Sequence, residues 1–138
     1  MPPVHITPLT PLAFLERAAD VFAEQIAIVD ADQVVTYREF ADHATVLANA
    51  LRAKGIRPGD RVAYLCPNIP ELLVAHFGVP LAGAVLVAIN TRLAPQEVAG
   101  ILRHSGARIL VADTELLVPV APTLGGCPDL EYLVAIND

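Results

Sequence analysis

The chain has 138 residues, enough for one domain with a core of its own and too few for two ordinary ones. Apolar residues make up 54% of it and the mean hydropathy is +0.52, so part of its apolar surface is expected to face partners rather than water. The net charge is −6 with no basic run, which argues against a nucleic-acid partner.

A first helix is signalled by Thr10 as a cap, Pro11 in the first turn and an apolar stripe of Leu15, Ala18, Ala19 and Phe22. A hairpin follows, with Ile26-Ala27-Ile28-Val29 and Val34-Val35-Thr36 flanking the polar turn Asp30-Ala31-Asp32-Gln33. Thr36 and Glu39 have capping-box spacing at the head of a second helix, whose buried face is Phe40, Ala44, Leu47 and Leu51. Lys54 suits the negative end of that helix, and Gly55 supplies a left-handed stop.

From Gly59 to Asp113 the pattern is strand, helix, strand, helix, strand: Val62–Cys66, Ile69–Ala82, Val85–Ile89, Pro95–His104 and Ile109–Ala112. Apolar strands alternating with helices predict an α/β fold, a mostly parallel sheet with helices on both faces. A weaker helix is expected from Thr114 until Pro119 or Pro122 disrupts it, then a loop at Gly125-Gly126-Cys127-Pro128 and a last strand over Leu130–Ile136. A further connection would be expected after Asn137-Asp138.

Leu72 to Ile89 approaches the length of a membrane span, but Gly78, Pro80 and Gly83 interrupt it and its last residues form a β-branched run. It reads as a buried helix followed by a buried strand, with no transmembrane segment. The N-terminus lacks the basic start and apolar run of a signal peptide. Cys66 and Cys127 match no metal spacing, Cys66 reads as a buried inert thiol, and a cytoplasmic setting is expected.

The text resembles a known family first at Val35-Thr36-Tyr37-Arg38-Glu39-Phe40 and then at Gly59-Asp60-Arg61-Val62-Ala63 and Pro67-Asn68-Ile69-Pro70-Glu71. It continues through His76-Phe77-Gly78-Val79-Pro80-Leu81-Ala82-Gly83-Ala84-Val85 and Asn90-Thr91-Arg92-Leu93. Taken in order these motifs resemble the N-terminal portion of an AMP-forming acyl-CoA synthetase of the adenylate-forming superfamily. The opening Leu9-Thr10-Pro11-Leu12-Ala13-Phe14-Leu15-Glu16-Arg17-Ala18-Ala19 is similar to medium-chain acyl-CoA ligases in particular.

The resemblance implies that residues 1–138 are the N-terminal part of the AMP-binding (adenylation) domain, an incomplete N-terminal subdomain of that fold. The phosphate loop, the remainder of the large domain and the C-terminal domain are then absent from this sequence. In intact form such an enzyme activates a carboxylic acid with ATP and Mg²⁺ to an acyl-adenylate and passes the acyl group to the thiol of CoA. Holding polyphosphate charge needs backbone N–H groups, a lysine and a metal. The only lysine here is Lys54, and no Ser/Thr/Gly-rich loop is present. No catalytic residue and no metal ligand is therefore assigned, none of these cofactors is expected to bind tightly to this chain, and the chain alone is expected to be inactive.

Arg92 is the one residue carried over. In the CoA ligases that this stretch resembles, an arginine in the corresponding turn contacts the nucleotide phosphates of CoA, and its planar fork of donors at a strand end suits that task. The competing reading is a solvated arginine that pairs with Glu97 or a helix terminus. His76, amid Leu72, Leu73, Val74, Ala75 and Phe77, reads as a packed core histidine rather than a base. Asn68 reads as a helix cap, Asp30 and Asp32 as a turn rather than a calcium loop, and His104 as a response to the helix dipole. Two other readings stay open: another adenylate-forming branch, such as an aryl-CoA ligase or a peptide-synthetase adenylation domain, and a non-catalytic α/β module that binds a partner. An unfinished sheet would also allow self-association through its exposed edge.

Overall fold

Thr10 caps the first helix as its spacing predicts: its Oγ1 accepts the Ala13 N–H at 3.4 Å, and Pro11 opens α1 (Pro11–Val21). The computed structural model describes residues 10–137. The signal-peptide reading and the start of the Leu9–Ala19 resemblance fall outside them. Strands β1 (Ile26–Asp30) and β2 (Gln33–Thr36) form the predicted antiparallel hairpin. Its turn places Ala31 at a φ of 46°, a left-handed position that favours glycine.

Helix α2 (Tyr37–Ala53) begins with the full capping box. The Glu39 N–H donates to Thr36 Oγ1 at 3.3 Å, and Glu39 Oε2 accepts the Thr36 N–H at 2.8 Å. The Thr36 N–H and hydroxyl beside the Glu39 carboxylate hold its pKa below the usual value. Gly55, with a φ of 81°, ends the helix as expected.

The main sheet holds β3 (Arg61–Leu65), β4 (Val85–Ala88), β5 (Ile109–Asp113) and β6 (Tyr132–Ile136), all parallel, in the order β4-β3-β5-β6. The crossovers are α3 (Pro70–Leu81), α4 (Pro95–Ser105) and α5 (Thr114–Val120), the last followed by a 3₁₀ turn over Ala121–Gly126. Period-two alternation in β3 and β5 divides the core. Val62, Tyr64, Ile109 and Val111 face α2 and α3, whereas Ala63, Leu65, Leu110 and Ala112 face α4 and α5. The third apolar cluster ties the hairpin to α1 and α2, with the Phe40 and Phe77 rings edge to face at 5.1 Å.

Several expectations need correction. Asn68 does not cap α3. Ile69 occupies the cap position without a side-chain bond, and Pro70 removes one of the N–H groups a cap would serve. Helix α3 is not buried all round, since Leu73 is 40% exposed and His76 lies at the surface. Helix α5 runs through Pro119 to Val120 because the proline stands close enough to the N-terminus to break little of the ladder. The 72–89 segment does resolve into a helix and a strand, and no helix among the described residues is long and apolar enough to cross a membrane.

Candidate functional site

The strand order places the topological switch at β3: the connection after β3 leaves toward the α3 face, while those after β4 and β5 leave toward the opposite face. Ligands of such sheets sit in the crevice this opens at the carboxyl ends. Two adjoining hollows lie there. One, of about 540 Å³, is lined by Cys66, Pro67, Asn68, Leu72, Ala88, Ile89, Asn90 and Thr91. The other, of about 620 Å³, has Asp113, Thr114, Glu115 and Asn137 in its wall and shares Pro67 and Thr91 with the first. Either volume suits a small molecule.

Local bonding makes these rims firm. Asp113 Oδ1 accepts the N–H groups of Glu115 at 2.8 Å and Leu116 at 3.3 Å, capping α5. The Thr114 hydroxyl lies 3.1 Å from Ile136 O and 2.6 Å from the Asn137 side-chain oxygen, joining the ends of β5 and β6. In the turn after β4, Asn90 Oδ1 accepts the Arg92 N–H at 2.9 Å, an Asx turn that sets the direction of the chain.

Arg92 is exposed and stands one residue beyond Thr91, outside the lining of either hollow. Its guanidinium takes part in no hydrogen bond or ion pair among the described residues. The expected alternative partner is engaged elsewhere: Glu97 Oε2 accepts the Ala94 N–H at 2.8 Å at the start of α4. Ala94 has no side-chain acceptor to return that bond, so this is half a capping box. The charged residues in the wall of the larger hollow are the acids Asp113 and Glu115. These side chains alone do not fit a polyphosphate, whose charge they would repel.

His76 is not the packed core histidine expected from its neighbours. It borders a separate hollow of about 320 Å³ between β1 and the start of α3, together with Asp30, Asn68 and Leu73. Its Nδ1 lies 2.7 Å from Leu72 O, and because a carbonyl can only accept, Nδ1 carries the proton. His104 lies in the last turn of α4, as the dipole reading expected.

The opposite ends of the strands are stitched by charge. Arg61 donates to Ser105 O at 2.5 Å and Gly106 O at 2.9 Å, closing the C-terminus of α4. Arg108 donates to Gly55 O at 3.0 Å and to both oxygens of Glu131 at 2.8 Å, and it also pairs with Asp60. The Arg57 N–H and then Arg108 hold the Asp60 carboxyl below its usual range, and Arg108 does the same for Glu131. Sequence reading missed these residues, since 44 and 48 positions separate Arg61 from Ser105 and Asp60 from Arg108. Asp113 was missed too, although an aspartate just before Thr114-Glu115 is itself a cap signal. The amino ends are therefore locked, and the carboxyl ends are left accessible.

The AMP-binding enzyme family matches residues 15–136. Over 109 residues the chain is 45% identical to 4-hydroxybutyrate–CoA ligase 2 of Metallosphaera sedula, covering 79% of this chain and 20% of that protein. Over 133 residues it is 39% identical to the peroxisomal trans-cinnamate:CoA ligase of Petunia hybrida, covering 96% of this chain and 23% of that protein. The crystal structure of the anthranilate CoA ligase AuaEII in complex with anthranoyl-AMP superposes with a TM-score of 0.87 at 35% identity, over 91% of this chain and 24% of that one. The chain thus spans about a fifth to a quarter of the length of these relatives.

Proposed function

The chain belongs to the AMP-binding enzyme family, and from that premise we propose that the intact protein is an AMP-forming acyl-CoA ligase. A carboxylate oxygen of the acid attacks the α-phosphorus of ATP and pyrophosphate leaves. The CoA sulfur then attacks the acyl carbonyl, AMP leaves, and the thiol proton goes to solvent. ATP and CoA are its cosubstrates and Mg²⁺ the metal that would screen the phosphates. The acid we assign is a medium-chain fatty acid, on the Leu9–Ala19 resemblance, and the setting is the cytoplasm.

The observation that supports this reading is the parallel sheet with accessible carboxyl ends, in a chain matched almost end to end by CoA ligases. These residues brace the ligand crevice, while the groups that hold phosphate and carry out the chemistry belong to the part of the protein outside them. The chain alone is therefore inactive. ATP–pyrophosphate exchange tests this: the purified 138-residue chain should show none above the blank. The intact protein should show exchange that depends on the acid, across short and medium aliphatic acids and cinnamate. Sustained exchange by the isolated chain would overturn the assignment.

Arg92 is the CoA contact within this stretch. Its guanidinium is exposed on the strand-end turn, and the carboxylate that would otherwise neutralise it is bound to Ala94. In the intact ligase, Arg92→Ala should raise the KM for CoA by about two- to tenfold, as expected for losing one solvent-exposed charge-assisted bond. The rate of acid-dependent pyrophosphate exchange should not change. An unaltered KM for CoA would remove Arg92 from the site.

A further inference from the structure

Strand β6 is the outermost strand of the main sheet and pairs with β5 on one side only. Along its other side, alternate N–H and C=O groups lack a ladder partner. Natural edges are usually protected by a charge, a proline or a bulge. Tyr132-Leu133-Val134-Ala135-Ile136 carries none of these.

The register with β5 assigns each side chain to a face. Tyr132 and Val134 pair with Ile109 and Val111 and so lie on the α2 and α3 side. Leu133 pairs with Leu110 and lies on the α4 and α5 side. Yet Tyr132 is 37%, Val134 46% and Leu133 50% exposed, whereas Ile109, Val111 and Leu110 in the next strand are buried. The helix layers of this chain stop short of β6 on both faces. A strand apolar on both faces is the sequence of an interior strand.

We propose that the outer edge of β6 is a docking seam for a strand from the remainder of the ligase polypeptide, whose apolar side chains cover Tyr132 and Val134 on one face and Leu133 on the other. A second copy of this chain is the poorer occupant. It would bring another β6 with no helix over its own Val134 and Leu133, leaving both pairs wet. The remainder is large enough for the task, since the chain covers only 23% of the trans-cinnamate ligase it matches almost end to end. The identity of the occupant rests on the ligase reading; the bareness of the edge does not.

The test compares hydrogen exchange of the β6 backbone in two settings. One is the isolated chain; the other is a graft in which this chain replaces the matching segment of the Petunia trans-cinnamate ligase. The outward amides of β6 should exchange quickly in the isolated chain and at least about tenfold more slowly in the graft, as ladder pairing requires. Val134→Lys should leave the melting temperature of the isolated chain unchanged and should destabilise the graft. Equal exchange in both settings overturns the proposal, as does a graft that will not fold or a large loss of melting temperature in the isolated variant. Protection in the isolated chain that grows with its concentration makes the occupant a second copy and also overturns it. Ligase activity is read separately: protected β6 amides in a graft without activity would sink the functional reading and leave the seam standing.

Discussion

Leu110→Ala is expected to lower the stability of the chain by about 3–5 kcal/mol, the range for deleting a leucine from a site that cannot collapse. Leu110 is 0% exposed in β5, with Ala63 of β3 beside it on one side and Leu133 of β6 on the other. It packs into the cluster that joins the sheet to Val98, Ala99 and Leu102 of α4 and Val120 of α5. Small side chains already fill much of this layer, namely Ala63, Ala99, Ala107 and Ala112, so few large neighbours can relax into the vacated space. For a domain stable by about 5–15 kcal/mol this is a large fraction of the whole. Urea unfolding should show a lower midpoint at an unchanged slope. Val29→Ala, at a side chain 67% exposed on the hairpin, should cost about 0.5 kcal/mol or less. A Leu110→Ala cost near that of Val29→Ala would mean that the α4 layer does not rest on the sheet.

Much of this architecture is legible in the sequence because its signals are local. The Thr36–Glu39 capping box and the Gly55 stop involve groups within a few residues, and each forms as its spacing predicts. The apolar runs of β3 and β5 are buried on both faces, which is why they read as continuous rather than alternating. Strand order is different. That β5 lies on the far side of β3 from β4 is decided by helix packing across the sheet, and no local pattern carries it. The Arg61 and Arg108 bonds depend on that order and were invisible for the same reason. His76 failed because five apolar neighbours were read as one buried surface, while a helix turns some of them outward. At the candidate site the strand-end position of Arg92 was readable. The engagement of Glu97 with Ala94, which leaves Arg92 unneutralised, was not.

The division of charge between the two ends of the sheet gives these pieces a common sense. At the amino ends Arg108 joins the loop after α2, the approach to β3 and the approach to β6 through Gly55, Asp60 and Glu131. Arg61 fixes the end of α4 against the start of β3. Strands tied at one end keep their register at the other, so the turns at Pro67, Thr91 and Asp113 hold their spacing around the hollows. Rigid strands with short connecting loops are what a ligand crevice built from several chain segments needs.

Helix α3 links that crevice to the core, and its position is set at Gly78. A Cβ there would stand 2.8 Å from Leu47 Cδ2, 3.0 Å from Leu47 Cβ and 2.9 Å from Ala44 O, all on α2. Replacing a helical glycine by alanine normally gains about 1 kcal/mol. Here the gain is opposed by a contact with a backbone carbonyl, which cannot rotate aside as the Leu47 side chain can. Relief requires α2 and α3 to separate, and overpacking of this kind costs about 1–3 kcal/mol. Gly78→Ala should therefore destabilise by about 1–2 kcal/mol, and Gly78→Val by more, since each added methyl meets the same wall. Gly100 in α4 provides the contrast, because the nearest atom to its virtual Cβ is Arg103 Nη2 at 3.9 Å. Gly100→Ala should stabilise by up to about 1 kcal/mol. Thermal melts of the two variants should move in opposite directions from the parent. If both rise, α2 and α3 do not meet at Gly78. If Gly78→Ala falls, the same outward shift of α3 carries Pro67 and Asn68 with it, because they lead directly into the helix, and in the intact ligase the crevice they line should open and the KM for its ligand should rise.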